Sequence, residues 1–130
     1  MFVLDASAAI PACSSPDGFA LFGREPLVAP PLLWSECRSA LHEALFRREV
    51  SRADAVRALA ELGRAPIRSR THRRLGRRAL ELADQFGWAK AYDAEYLALA
   101  DLLGARLITL DARLRRATTR LGYVLTPSEL

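Results

Sequence analysis

Residues 106–114 read Arg-Leu-Ile-Thr-Leu-Asp-Ala-Arg-Leu (RLITLDARL), and their reading decides the fold class. The continuous run 106–110 suits a strand buried on both faces, and Asp111 leads from it directly into a helix. Just upstream, Tyr92–Leu103 (YDAEYLALADLL) predicts a helix that is apolar on nearly all sides, so it belongs against the interior of a sheet, and Gly104 stops it. Helix, buried strand, helix is the pattern of a parallel sheet covered on both faces.

The same alternation extends outward to the start of the chain. Phe2–Leu4 is a short apolar strand ended by Asp5, and Ala6–Cys13 a short helix broken by the turn residues 14–18 (SSPDG). Leu27–Ala29 is a second strand, closed by Pro30 and Pro31. Across 32–48, Leu33, Cys37, Ala40, Leu41, Ala44 and Leu45 recur at helical spacing. Ser51, with Asp54 three residues on, caps a further helix ending near Gly63, and 65–67 holds a weak strand. From about Thr71 a helix sets Leu75, Ala79, Leu82, Ala83 and Phe86 on one face and Arg73, Arg74, Arg77 and Arg78 on the other, with Gly87 as its stop. Residues 123–125 make a last short strand. The expectation is an α/β fold, a three-layer α/β/α sandwich with a central parallel sheet, formed as one domain over residues 1–130.

The totals agree. A chain of 130 residues with 51% hydrophobic and 26% charged residues suits one globular domain with a real core. No apolar run reaches the roughly 20 residues of a bilayer span, and the N-terminus lacks the basic flank of a signal peptide, so a cytoplasmic setting is expected. Cys13 and Cys37 suggest no disulfide framework and read as small buried hydrophobes. The net charge is +4, and Lys90 is the one lysine among 19 basic residues. Arginine's planar fork suits phosphate or carboxylate, so nucleic acid and an acidic protein segment both qualify as partners.

Four acids sit at strand ends or in first helical turns: Asp5 after FVL, Glu36 early in the helix beyond Pro31, Asp93 opening DAEYLALADLL, and Asp111 after RLITL. Singly, each serves as a helix cap or a partner of the helix dipole. Jointly they mean more, because an open parallel sheet places its ligand crevice at the carboxyl ends of its strands. Like charges gathered there raise one another's pKa unless a cation neutralises them, and carboxylate oxygens suit Mg²⁺ or Mn²⁺. Glu95 lies about 200° round the helix from Asp93 and Asp101 about 12 Å further along it, so neither is expected to join them. Thr109 and Ser7, each two residues from an acid, are placed to orient a carboxylate or water; a strand filler and a helix cap are their ordinary roles.

VLDASA, LWSE, YDAEYLALA and LITLDARL, in this order and spacing across essentially the whole chain, resemble the four acidic motifs of PIN domains, and in so short a chain those of VapC toxins. The resemblance implies a metal-dependent endoribonuclease whose acidic site is Asp5, Glu36, Asp93 and Asp111, supported by Thr109. It further implies one or two Mg²⁺ or Mn²⁺ ions, an RNA substrate, a homodimer, and inhibition by a VapB-type antitoxin in a larger complex. On this view Asp5 and Asp93 hold the main ion, Asp111 holds it through water or binds a second, and Glu36 orients the attacking water.

Other residues carry competing readings. His42 and His72 lack recognisable partners for acid–base cleavage, and Cys37 and His42, about 140° apart on a helix, do not converge on zinc. A haloacid-dehalogenase phosphatase needs Asp-x-Asp where Asp5-Ala6-Ser7 stands, and a receiver domain needs a lysine after a late strand. A PIN-like binding module that no longer cuts, and a DNA nuclease, remain as alternatives. The basic stretch 68–78 is either an RNA track, an antitoxin surface or a solvated helix face. Trp34 and Tyr92 stand near the crevice, with packing the more ordinary role, while Phe86 and Trp88 read as core. Apolar faces on Leu41, Ala44 and Leu45, or on Leu59 and Leu62, suit an antitoxin groove or the core.

Overall fold

A three-residue strand, Phe2–Leu4 (β1), forms the middle of the sheet in the computed structural model, which describes residues 1–130. Leu27–Ala29 (β2) and Arg106–Ile108 (β4) flank it, and Ile67–Ser69 (β3) and Val124–Leu125 (β5) are the edges, in the order β3-β2-β1-β4-β5. Every pairing is parallel. Parallel neighbours need crossovers, and the helices supply them: Ala6–Cys13 (α1), Leu32–Phe46 (α2), Arg52–Arg64 (α3), Leu75–Phe86 (α4), Tyr92–Leu103 (α5) and Ala112–Ala117 (α6). Helices α1, α2 and α3 pack on one another and α4 packs on α5, with the sheet between the two groups. The expected three-layer α/β/α architecture is observed.

The core explains why such short strands hold. Val3, Leu4, Leu107 and Ile108 are wholly buried, and α5 lays Leu97, Ala98, Leu99 and Ala100 against β1 and β4 with no exposure at all. All-round apolarity therefore places α5 inside. Cys13 and Cys37 are buried thiols in the same cluster, and burial pushes their pKa values up to about 11 and about 12.

The weak strand expected at 65–67 lies instead at Ile67–Ser69, because α3 runs to Arg64 and Ala65 caps it, and two other boundaries depart from expectation for local reasons. Helix α4 begins at Leu75 rather than Thr71, because the His72 ring accepts a hydrogen bond from the Arg74 N–H at 3.0 Å and turns 71–74 into a loop. Arg73 and Arg74 consequently precede the helix instead of sharing a face with Arg77 and Arg78. Strand β4 ends at Ile108, since the Leu110 and Asp111 N–H groups turn to the hydroxyls of Ser7 (2.8 Å) and Thr109 (3.0 Å). No helix is long and apolar enough to cross a membrane.

Leu107, wholly buried in β4 between β1 and β5, is a direct probe of this core. Leu107→Ala is expected to destabilise the fold by about 2–5 kcal/mol in urea unfolding, with the m-value unchanged. A loss below about 1 kcal/mol would show that the sheet can close over the cavity.

Candidate active site

Because all five strands run the same way, β1 and β4 deliver Asp5 and Asp111 to one edge of the sheet. Each acid caps the helix that follows it. Asp5 Oδ1 accepts from the Ala8 N–H at 3.0 Å and from the Ser7 hydroxyl at 2.6 Å. Asp111 Oδ1 accepts from the N–H groups of Arg113 (2.8 Å) and Leu114 (3.1 Å). Capping thus fixes one oxygen of each carboxylate, and Oδ2 of Asp5 makes no hydrogen bond within the chain. The ordinary role and the chemical one are compatible, since the cap holds a carboxylate still while leaving an oxygen to act.

Ser7 and Thr109 lace the two loops together. Ser7 Oγ donates to Asp5, accepts from the Leu110 N–H at 2.8 Å and lies 3.3 Å from the Thr109 hydroxyl. Thr109, wholly buried, accepts from the Asp111 N–H at 3.0 Å. It therefore positions the backbone of Asp111, and its hydroxyl also acts on the Asp5 carboxyl.

The helices bring the other two acids. Asp93 lies in the first turn of α5 and lines both of the cavities that open at the acids. Tyr96, one turn along α5 and wholly buried, donates its hydroxyl to Glu36 Oε2 on α2 at 3.0 Å. Burial pushes the Tyr96 phenol up, and the adjacent Glu36 charge pushes it further, so Tyr96 stays a donor.

Burial raises the Asp5 carboxyl above its ordinary range, against the pull of the Ser7 and Thr109 hydroxyls and the Ala8 N–H, and the Asp93 charge adds to the rise. Burial also raises Glu36, opposed by the Tyr96 hydrogen bond and reinforced by Asp93, Asp5 and Glu95. Glu95, expected to face away, is half-buried and takes part in this field. Asp93 is raised by burial and by Asp111, while Arg113 pulls it down. Mutual repulsion of this kind is what a hard divalent cation relieves, and the all-carboxylate donor set fits one. The acids are not drawn into a closed cage, for no three His, Cys, Asp or Glu side chains converge tightly enough to hold an ion by themselves.

Two cavities open at the acids. One, of about 480 Å³, is lined by Trp88, Lys90, Asp93, Asp111 and Arg113 among others. The other, of about 470 Å³, is lined by Ser35, Glu36, Ser39, Lys90, Tyr92 and Asp93, with Leu32 at its rim. Tyr96, Lys90 and Arg113 were not singled out from the sequence; for Lys90 and Arg113 the only signal was proximity to Asp93 and Asp111. Phe86 and Trp88, read as core, are half-buried and stacked, with ring centroids 4.8 Å apart at 19°. Tyr92, for which packing was the more ordinary role, is 58% exposed.

The basic stretch is divided. Arg78 is tied to Asp101 at 2.6 Å and to Glu81 at 3.4 Å, and Arg77 to Glu81 at 3.4 Å, whereas Arg73 and Arg74 are exposed without ion pairs. His42 is exposed on α2 and His72 is engaged with the 71–74 turn, so the two histidines form no pair with the acids. Leu41, Leu45 and Leu59 line a groove of about 190 Å³ between α2 and α3, together with Ala55, Val56 and the Arg38 and His42 side chains; Leu62 is core.

The PIN domain family model matches residues 2–119. The chain belongs to the PIN-domain family. Within it the chain falls with the VapC toxins. It is 38% identical over 116 residues, 88% of each chain, to the VapC ribonuclease Mb0985 of Mycobacterium bovis and to the ribonuclease VapC9 of Mycobacterium tuberculosis. The crystal structure of PAE2754 from Pyrobaculum aerophilum superposes with a TM-score of 0.77 at 25% identity, covering 98% of this chain and 91% of that one. The four acidic segments all lie inside the matched PIN region.

In this VapC chain the charged form of buried Asp5 opposes folding. Its folded pKa is raised, so stability is greatest below the ordinary carboxylate value and falls as pH rises through the raised one. Asn keeps the capping oxygen and removes the charge. Asp5→Asn should therefore melt roughly 2–5 °C higher than wild type at pH 7 in EDTA, the gap closing as pH drops into the carboxylate range. A lower melting temperature at pH 7 would mean that the cap, not the charge, dominates at this position.

Proposed function

We propose that the chain, one PIN domain over residues 1–130, is the endoribonuclease toxin of a VapBC pair, acting on RNA in the cytoplasm. The observation that supports this reading is that Glu36, Asp93 and Asp111 line two joined cavities, with Asp5 close enough to feel the Asp93 charge, in a chain of VapC kinship. Asp5, Asp93 and Asp111 would hold Mg²⁺, or Mn²⁺ in its place, and the ion would lower the pKa of a water and withdraw charge from the phosphoryl oxygens.

The chain's own residues do the rest. The Ser7–Thr109 link and the two helix caps keep Asp5 and Asp111 in fixed rotamers, which spares reorganisation during the reaction. Glu36, held by the Tyr96 hydroxyl, orients the attacking water and takes its proton on the carboxylate. Arg113 and Lys90 offset the phosphate charge. Arg73 and Arg74, with Arg77 and Arg78 behind them, form either a track for the flanking RNA or a seat for the antitoxin tail. We assign the antitoxin's apolar segment to the α2–α3 groove, where Val56 and Leu59 stand exposed. A homodimer, enlarged to a heterotetramer or more by antitoxin, belongs to the same reading.

Purified toxin should cut a total-RNA pool at discrete places with Mg²⁺ or Mn²⁺ and not with EDTA, leaving 5′-phosphate and 3′-hydroxyl ends. Asp93→Asn should abolish cutting, as should Asp5→Asn. Cyclic 2′,3′-phosphates would exclude the water-attack mechanism. A folded wild type that cuts under no divalent ion would leave a binding module as the function, and preferential cutting of DNA would move the substrate class.

Tyr96→Phe keeps the buried ring and removes only the hydroxyl. It should lower kcat roughly tenfold or more at nearly constant KM, and should change nothing further in a Glu36→Gln background. Equal losses in both backgrounds would make Tyr96 a packing residue.

A further inference from the structure

The two cavities share Lys90 and Asp93, so they meet at those side chains. Each also carries one aromatic ring, Trp88 in the first and Tyr92 in the second. All of these side chains come from one short segment, 86–93, which runs from the end of α4 through the intervening turn into the start of α5. Gly87, at φ 69°, ends α4 in the left-handed conformation and throws the chain outward, and α5 does not begin until Tyr92. Phe86 stacks behind Trp88 and both pack on the core, so the indole is backed on the protein side while it lines the cavity. Tyr92 is exposed, and Lys90 lies between the two rings in sequence and lines both of their cavities.

We propose that segment 86–93 seats two consecutive unpaired nucleotides across the acidic site, one base on Trp88 and the next on Tyr92, with Lys90 on the phosphate between them. The inference rests on the ribonuclease reading in one respect, that this phosphate is the one to be cut. Its chemistry is general. Aromatic faces take any base by stacking, and a cation spaced between them takes the linking phosphate. Cavities of this volume admit groups of nucleotide size. A duplex hides its base faces, so the seat selects single-stranded or looped RNA. Arg113 also lines the first cavity and adds a second phosphate contact.

The test measures binding without cutting. In a Trp34→Phe background Trp88 is the only indole, because the chain has two tryptophans. In EDTA, a mixed-sequence unpaired octaribonucleotide should quench Trp88 emission saturably, and the same sequence as a duplex should not. With binding followed by the fluorescence anisotropy of the same octaribonucleotide carrying a 5′ dye, Trp88→Leu and Tyr92→Leu should each weaken binding roughly tenfold, the latter in an exposed position where folding is not at stake. Lys90→Met should flatten the slope of log affinity against log salt by about 0.7. Absence of quenching, wild-type affinity in folded Trp88→Leu and Tyr92→Leu, or equal quenching by a hexaglutamate peptide would each overturn the proposal, the last in favour of an acidic protein segment. Metal-dependent cutting with unchanged KM in both leucine variants would overturn the seat and leave the nuclease. RNA bound through both rings but cut under no divalent ion would support the seat and remove the nuclease.

Discussion

Ser7 Oγ meets Asp5, the Leu110 N–H and the Thr109 hydroxyl at the point where β1 and β4 pass into their helices. This one atom ties together the two loops that carry the strand-end acids, and it satisfies groups that the ends of such short strands leave without ladder partners. Parallel strands of two or three residues cannot hold a register by ladder bonds alone. The register of β1 against β4 depends on the buried Val3, Leu4, Leu107 and Ile108 below and on the hydroxyl clasp above.

That clasp works against an electrostatic strain of the site's own making. Asp5, Glu36 and Asp93 are all pushed up, first by burial and then by one another or by Asp111. The opposing contributions are hydrogen bonds from the Ala8 N–H and the Ser7, Thr109 and Tyr96 hydroxyls, together with the Arg113 charge near Asp93. Such donors favour the ionised carboxylate without neutralising it, so the negative field at the sheet edge persists. The apolar α5 is then more than a filler. It carries Asp93 and Tyr96 on adjoining turns, and the same packing that buries Leu97 and Leu99 sets the distance from Asp93 and Tyr96 to Glu36.

What the sequence revealed and what it hid follow from the range of the forces involved. RLITLDARL and the all-apolar 92–103 run are legible because burial on both faces writes itself into consecutive residues. Asp5 and Asp111 are legible because strand ends in a parallel sheet share an edge by topology. Tyr96 was not, since its partner stands 60 residues away and nothing local marks a tyrosine in an apolar helix as a donor. Trp88 beside Phe86 reads as hydrophobic core until the Gly87 turn is seen to carry it to a cavity wall. Arg73 and Arg74 were assigned to a helix face because periodicity ignores a ring nitrogen; the hydrogen bond His72 accepts displaces them into a loop. Arg78 looks free in sequence and is bound to Asp101 in space.

The clasp also fixes when the site can exist at all. Ser7 and Thr109 are separated by 102 residues, and β1 has no partner on one side until β4 has been made. During synthesis at about 5–20 residues per second, the first acid therefore waits for several seconds before the strand that completes its surroundings leaves the ribosome. Earlier nascent chains lack β4 and Asp111 together. In a chain arranged in this order the first acids stand at an incomplete edge until the strand that brings the last of them has been made.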